Sequence, residues 1–170
     1  MTTIIKATAA DIPAIISMAD IVFRHTYSSI LTAGQIEYMM EWMYSAESLV
    51  KQLDEGHCFF IARRDNIPVG YMSIQKEKVT DDDMTVYHLH KLYVMPEQQG
   101  SGIGKLLFIQ ACRYANDNKD TAKAHIELNV NRFNKAKGFY LGMGMKIAGE
   151  GDFAIGNGYY MNDYIMSLEV

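Results

Sequence analysis

Apolar residues recur at helical spacing over the first third of the chain, after a short β-rich start. Residues 4–7 are typical of a strand. Apolar side chains then recur every three or four positions, which predicts a helix over about residues 11–25. Thr32, followed three residues later by Gln35, resembles a capping box, and it predicts the start of a second helix.

The pattern changes to short β-rich runs in the middle of the chain. A third, short helix is expected over residues 47–53. The runs 57–63 and 68–75 flank the turn signal "RDNIP" and predict an antiparallel hairpin. After the polar turn "TDDD", a longer apolar run predicts a fourth strand over residues 84–94.

The last part of the chain alternates between segments with helical periodicity and segments with strand periodicity. An amphipathic helix is expected from about Ile103 to the polar stretch "NDNKD". "AHIELNV" alternates as a strand, and "NKAKGFYLGMG" predicts a short helix that ends at its glycines. Two strands follow, one from Met145 and one within residues 159–170. The order of elements predicts a single mixed α/β domain over residues 1–170.

Composition excludes several classes of protein. The 170 residues are 49% apolar and 21% charged, which is typical of an ordinary globular domain. There is no run of about 18 apolar residues and no secretory signal pattern, so we expect neither a membrane span nor export. The net charge of −4, without a basic stripe, argues against nucleic acid as a partner.

The cysteines and histidines show no metal-ligand spacing, so no metal is expected. Cys58 lies in an apolar strand pattern and Cys112 in a helical one, which favours buried, inert thiols. A disulfide or a reactive thiol stays open as the alternative. Together with the missing signal, this pattern predicts a cytoplasmic location.

Three glycines stand within five positions between the fourth predicted strand and the next helix. Removing side chains at Gly100, Gly102 and Gly104 lets an anion approach the N–H groups at a helix start. The first helical turn lacks Asp and Glu, and Lys105 adds a positive charge. The stretch "QGSGIGK" therefore predicts a phosphate-binding loop, although close packing of the backbone stays an alternative reason for the glycines.

Two common phosphate motifs do not fit this loop. The nucleoside-triphosphate loop has four residues between its glycines and Ser or Thr after its lysine, whereas Leu106 follows Lys105 here. The dinucleotide fingerprint GxGxxG opens a βαβ unit, whereas the chain has GxGxG after a strand predicted to be antiparallel. Each of these two motifs differs from the loop in the spacing of its residues or in the elements around it.

The pattern Q-x-x-G-x-G after "LYVMPE" instead resembles the coenzyme A loop of the GNAT superfamily of acyl-CoA-dependent N-acetyltransferases. A second stretch, "LNVNRFNKAKGFYLGMGM", is similar to the family's downstream pattern L-x-V-x-x-x-N-x-x-A-x-x-x-Y-x-x-x-G. The matching residues are Leu128, Val130, Asn134, Ala136, Tyr140 and Gly144, with one residue fewer between Asn134 and Ala136 than the pattern has. The resemblance implies the GNAT fold, a mixed and mostly antiparallel sheet of six to seven strands flanked by about four helices.

The resemblance also implies how acetyl-CoA, the cosubstrate, is bound. Main-chain groups of Leu92, Tyr93 and Val94 would hold the thioester and the pantetheine arm. Asn134 would bind the arm and Lys137 a phosphate. The loop that would hold the pyrophosphate consists of Gln99, Gly100, Ser101, Gly102, Ile103, Gly104 and Lys105.

Catalytic roles follow from the same resemblance. Tyr140 matches the family's general acid, with an aromatic side chain packed in the core as the alternative. His88 and His90 fall on one face of a strand by alternation, and similar histidines help to remove the amine proton in arylalkylamine acetyltransferases. A purely structural role for these histidines stays open. Glu37 and Glu41 are rival acceptor contacts, although an exposed helix face explains these two acids at least as well.

The acceptor is the least determined part. The stretches "FRHTYSSILTAGQIEYMMEWMYS" and "IGNGYYMNDYIMSLEV" resemble the bacterial PaiA-type branch, whose members acetylate polyamines. A small-molecule amine is therefore the expected substrate, and a homodimer is compatible with the family. Acetylation of a protein N-terminus or another amine, or a non-catalytic acyl-CoA-binding regulator, remains the alternative.

Overall fold

The order of elements in the structure, a computed structural model that describes all 170 residues, follows the predicted order closely. Seven strands are present: β1 Thr2–Lys6, β2 Cys58–Arg64, β3 Ile67–Val79, β4 Met84–Val94, β5 Lys123–Asn131, β6 Lys146–Gly156 and β7 Tyr159–Glu169. Five α-helices accompany them: α1 Ile12–Tyr27, α2 Ala33–Tyr44, α3 Ala46–Asp54, α4 Ile103–Asn118 and α5 Ala136–Gly142.

The strands form one seven-stranded sheet in the order β1-β2-β3-β4-β5-β7-β6. The pairs β1–β2, β2–β3, β5–β7 and β6–β7 are antiparallel, and β4–β5 is parallel. The prediction of a mixed, mostly antiparallel sheet is confirmed, with five α-helices where about four were expected.

The chain divides into two compact units. The first consists of Met1–Gln75 and Lys91–Ala111. It contains α1, α2 and α3 together with β1 and β2 and the longer part of β3. Its fully buried side chains include Phe23, Leu49, Phe59, Ile61, Tyr71 and Met72.

The second unit consists of Lys76–His90 and Cys112–Val170. Its strands show the alternation of a half-buried sheet. In β5, residues Ala124, Ile126, Leu128 and Val130 are buried. The residues between them are less buried, so one face of β5 packs in the core and the other carries polar side chains.

Most boundaries of the helices and strands were predicted correctly from local sequence patterns, because such patterns act over only a few residues. The Thr32 hydroxyl accepts the N–H of Gln35 at 3.2 Å, and α2 begins at Ala33 as predicted. β3 extends to Val79, beyond the predicted end at residue 75, because strand hydrogen bonds continue where the side chains are polar and exposed. None of the helices is both long and apolar enough to cross a membrane.

Candidate active site

The loop after β4 leads into α4 and lies in the first unit. A 3₁₀ turn, Pro96–Gln98, follows the strand, and α4 begins at Ile103. Between them, Gly100 and Gly102 have φ angles of +82° and +88°. This left-handed region is open to glycine and unfavourable for most other residues, so the backbone conformation itself favours glycine at both positions.

The space beside these two glycines is open. A Cβ atom on Gly100 or Gly102 would meet no protein atom within 4 Å. A Cβ on Gly70, by contrast, would lie 2.9 Å from the Tyr93 carbonyl oxygen. Gly70 is therefore a packing glycine, whereas packing does not explain the two glycines of the loop. The backbone before α4 is accessible to a ligand.

The start of α4 presents unpaired donors. Leu106 donates its N–H to the Gly102 carbonyl at 3.1 Å, which is the first turn of the helix. The N–H groups of Ile103, Gly104 and Lys105 come before it, so they have no acceptor within the helix. The first turn contains no acidic residue. Helix dipole, open space and donors together fit a diphosphate group.

Side chains of the loop fasten it to the end of β4. Gln99 donates its Nε2 hydrogen to the Val94 carbonyl at 3.1 Å. The Ser101 hydroxyl and the Ser101 N–H both donate to the Gln98 carbonyl. Lys105 is exposed at the helix start. The loop therefore offers an anion main-chain donors and one ammonium group.

The last residues of β4 adjoin a cluster of four tyrosines, Tyr27, Tyr44, Tyr71 and Tyr93. The Tyr93 hydroxyl lies 3.3 Å from that of Tyr27, and the Tyr44 and Tyr71 hydroxyls lie 2.7 Å apart. Burial raises the pKa of both Tyr44 and Tyr71 well above its usual value, so both stay neutral. Leu92 and Tyr93 are half-buried and Val94 is buried, on a strand end held by this cluster.

A cavity of about 340 Å³ lies along α1 and α2 and includes Glu37 and Glu41 in its lining. The Arg24 guanidinium pairs with Glu37 and holds the pKa of that carboxyl below its usual value. Arg24 also binds Asp20 at 2.9 Å. Glu37 therefore already forms an ion pair within the protein, with Arg24. The acceptor contacts expected for the two acids stay predictions.

His88 and His90 lie in the second unit with their ring centroids 4.5 Å apart, on one face as alternation predicts. His88 Nδ1 lies 3.8 Å from the Glu77 carboxylate, and His88 stands opposite Glu127 on β5. Burial lowers the pKa of His88, and the two carboxylates oppose this effect. The imidazole is therefore neutral at neutral pH and is able to accept a proton.

The second unit also contains the residues predicted on and before α5. Tyr140 is 7% exposed, with its ring 5.3 Å from that of Phe139. Asn134 Oδ1 accepts the N–H of Ala136 at 2.9 Å and so supports the start of α5. Lys137 Nζ lies 4.9 Å from the centre of the Tyr164 ring. The roles assigned to Tyr140, Asn134 and Lys137 stay predictions.

Sequence reasoning missed Lys91, the residue before Leu92. It is 6% exposed, and its Nζ donates to Gln52 Oε1 at 2.7 Å. The rings of Tyr44 and Phe59 lie 5.6 and 5.5 Å from the ammonium group. Burial lowers the pKa of Lys91 to about 8. The only signal in the sequence was a lysine inside a run of apolar strand residues.

Two carboxylates were missed as well. Glu77 lies beside His88, as described above, and Asp163 is buried on β7. Neither belongs to a motif. The sequence shows each of them only as an acidic residue within a strand. It does not show which residues of the adjacent strands lie next to that residue.

Both cysteines are free thiols, so the disulfide alternative is wrong for these two residues. Cys58 is buried, and burial raises the pKa of the half-buried Cys112 to about 11, which disfavours a reactive thiolate. No three or more His, Cys, Asp or Glu side chains gather in an arrangement suited to a metal ion.

Comparison with known proteins adds family evidence to this geometry. The family model described as an acetyltransferase (GNAT) domain matches residues 29–164. No curated protein matches the chain.

Solved structures share the fold. PaiA N-acetyltransferase from Thermoplasma acidophilum, in complex with coenzyme A, superposes with a TM-score of 0.79 at 23% identity, covering 100% of this chain and 99% of that one. The ribosomal-protein-S18-alanine N-acetyltransferase from Escherichia coli has a TM-score of 0.70 at 18% identity, covering 100% and 94%. Because the family model spans most of the sequence and the loop fits a diphosphate, the chain belongs to the GNAT acetyltransferases and is an acetyl-CoA-dependent acyltransferase that acts on amines.

Proposed function

We propose that the protein transfers the acetyl group of acetyl-CoA to a primary amine of a small molecule, and that the acceptor is a polyamine. The observation that carries the transfer is the open, acid-free start of α4 behind Gly100 and Gly102. The net charge of −4 supports a cationic acceptor. The fold shared with a PaiA N-acetyltransferase over the whole chain supports the same choice.

The proposed cosubstrate contacts follow the predicted residues. Main-chain groups at the end of β4, residues 92–94, hold the thioester and the pantetheine arm. The loop 99–105 holds the diphosphate through its main-chain donors and Lys105. Asn134 binds the pantetheine arm and Lys137 binds a phosphate.

In the proposed reaction, the neutral amine nitrogen attacks the thioester carbonyl carbon, a C–N bond forms and the C–S bond breaks. His88, with His90 beside it, accepts the proton that the amine loses, and its lowered pKa supports this role. Tyr140 donates its phenolic proton to the departing thiolate. The products are the N-acetylated amine and coenzyme A with a free thiol, and proton exchange with water restores both side chains.

The test measures free-thiol release from acetyl-CoA over a panel of spermidine, butylamine, an amino acid and a peptide with a free N-terminus. We expect spermidine to give the highest kcat/KM. Tyr140→Phe should lower kcat at least about a hundredfold while acetyl-CoA affinity is retained, since general acids contribute about 10²–10⁴-fold. An unchanged kcat would remove the role of Tyr140.

Other outcomes of the panel select the alternatives. Turnover of the peptide alone would point to N-terminal acetylation. Silence across the panel with acetyl-CoA bound would point to a non-catalytic regulator. A melting temperature that rises with ATP and ignores acetyl-CoA would contradict the proposed cosubstrate.

Three further predictions belong to this proposal. Residues 1–170 form a single acetyltransferase domain, the protein acts in the cytoplasm, and it forms a homodimer. Light scattering on the purified chain tests the dimer, and limited proteolysis tests the single domain, which should resist internal cleavage.

A further inference from the structure

Asp163 is a buried carboxylate that the proposed reaction does not use. The residue is 5% exposed, and its Oδ1 atom has no hydrogen-bond partner. Its Oδ2 atom lies 3.4 Å from Asn129 Nδ2, which is a long contact. Burial raises the pKa of Asp163, while Asn129 and Arg132 act in the opposite direction. A buried acceptor without a donor is destabilising, and most such groups in proteins have a partner.

The residues around Asp163 form a small polar site in the second unit. Asn131 stands opposite Asp163 on β5, and Gly151 stands opposite it on β6. Gly151 has no side chain, and the Phe153 ring fills the space beside it, 3.0 Å from where a Cβ would lie. The Asp163 site therefore consists of Asp163, Asn129, Asn131, Gly151 and Phe153.

The cation that lowers the pKa of Asp163, Arg132, forms its ion pairs with other carboxylates. Arg132 binds Asp152 at 2.6 Å and lies 3.6 Å from Glu150. These acids stand opposite Asn162 and Tyr164, which alternate with Asp163 along β7 and so point to the other face of the sheet. Asp163 lacks a close positive partner.

The Asp163 site shares a face of the sheet with His88. His88 stands opposite Glu127, and Glu127 stands opposite Ser167, four residues from Asp163 on β7. The even spacing puts all four side chains on one face. His88 and Asp163 are separated by four residues along the strand and by two strand spacings across the sheet. Their Cα atoms are therefore roughly 16 Å apart. A group bound at Asp163 is therefore remote from an amine that reacts near His88.

We propose that Asp163 binds a second, non-reacting ammonium group of the acceptor. This inference rests on the proposed function and deepens it, because it makes the enzyme selective for acceptors with two or more amino groups. An ammonium group would supply the donor that Oδ1 lacks. The single carboxamide oxygen of Asn129 and the neighbouring Phe153 ring suit the same cation. Phe153 is 36% exposed on an edge strand, so rotation of its side chain opens the site.

The test compares Asp163→Asn with the wild type on spermidine and on butylamine. The substitution keeps the shape and removes the charge. We expect KM for spermidine to rise at least about tenfold, because a hydrogen bond to a charged group is lost, while both constants for butylamine are unchanged. Equal changes for the two acceptors, or no change for either, would overturn the inference.

Asp152→Asn is the matched control. It removes one negative charge from the same hairpin on the other face, so it should leave the ratio of the two KM values as in the wild type. An equal loss in the control would mean that Asp163 acts only through general electrostatic attraction, which also contradicts binding.

A second variant covers the case in which Asp163→Asn does not fold. Phe153→Ala alters an exposed edge position and should raise KM for spermidine about threefold, with butylamine unaffected. An unchanged spermidine KM would contradict the site. If the wild type acetylates spermidine and butylamine with equal KM, the inference about Asp163 is wrong and the proposed function is unaffected. If it acetylates no amine, both the proposed function and the inference are wrong.

Discussion

Replacing Lys91 by Met tests how strongly the first unit disfavours a charged group on β4. Lys91 is almost completely buried, and its pKa falls from 10.5 to about 8 because of burial. The gap between these values corresponds to about 3 kcal/mol against the charged form. Met has a similar volume, so the substitution removes this cost without opening a cavity.

Part of the gain is offset by lost contacts. Lys91 donates to Gln52 and lies near the rings of Tyr44 and Phe59, and each kind of contact contributes about 1 kcal/mol. We therefore expect Lys91→Met to be more stable than the wild type by about 1 kcal/mol at pH 7. Measuring how this difference in the free energy of unfolding changes with pH is a more specific test.

The sign follows from proton binding. The folded-state pKa of Lys91 lies below the unfolded one, so between about pH 8 and pH 10.5 the unfolded chain binds more protons. The contribution of Lys91 to the free energy of unfolding therefore rises with pH in this range. From pH 7 to pH 9.5 its cost falls from about 3 to about 1 kcal/mol, so the advantage of the Met variant should shrink by about 2 kcal/mol.

Urea unfolding of both proteins at pH 7.0, 8.0, 8.5, 9.0 and 9.5 measures this difference. Higher pH is avoided because unfolding would let Tyr44 and Tyr71 ionise near their usual pKa. Lys51→Met is the control: Lys51 is 75% exposed in the same unit, so a pH dependence that both variants share cannot come from burial. A constant gap between wild type and Lys91→Met from pH 7 to 9.5 would refute the reasoning.

Two further predictions concern the site itself. Gly102→Asp should weaken acetyl-CoA binding at least about a hundredfold by calorimetry, because like charges about 4 Å apart near a protein surface repel by about 4 kcal/mol. Gly158→Asp, at a similar φ of +78° in open space, is its control, and equal losses in both would contradict the anion site. Glu77→Gln should move the acidic limb of the pH profile of kcat/KM to lower pH, because Glu77 raises the pKa of His88. A limb that stays in place would argue against His88 as the base.

Local patterns were enough to predict most elements and the position of the glycine-rich loop before α4. The apolar run that predicted a strand over residues 84–94 is a property of neighbouring residues, and β4 has those bounds. The Thr32 cap of α2 and the glycines before α4 act within one helical turn, so the sequence contains the whole cause. The GNAT resemblance likewise rests on two short motifs.

The polar side chains of the site could not be placed in this way. Lys91 meets Gln52 from 39 positions away, and Asp163 meets Asn129 from 34 positions away. Arg24 pairs with Glu37, which the sequence offered as a contact for the acceptor.

The sequence by itself therefore determined the elements, the family and the glycine-rich loop before α4, because periodicity, capping and glycine conformation are local. Only the tertiary structure decided which charges are buried and which are paired, including Lys91, Asp163 and the His88–Glu77 contact. The physical reason is that the cost of a charge depends on the water it loses and the partners it gains, and strand pairing brings those partners from distant parts of the chain.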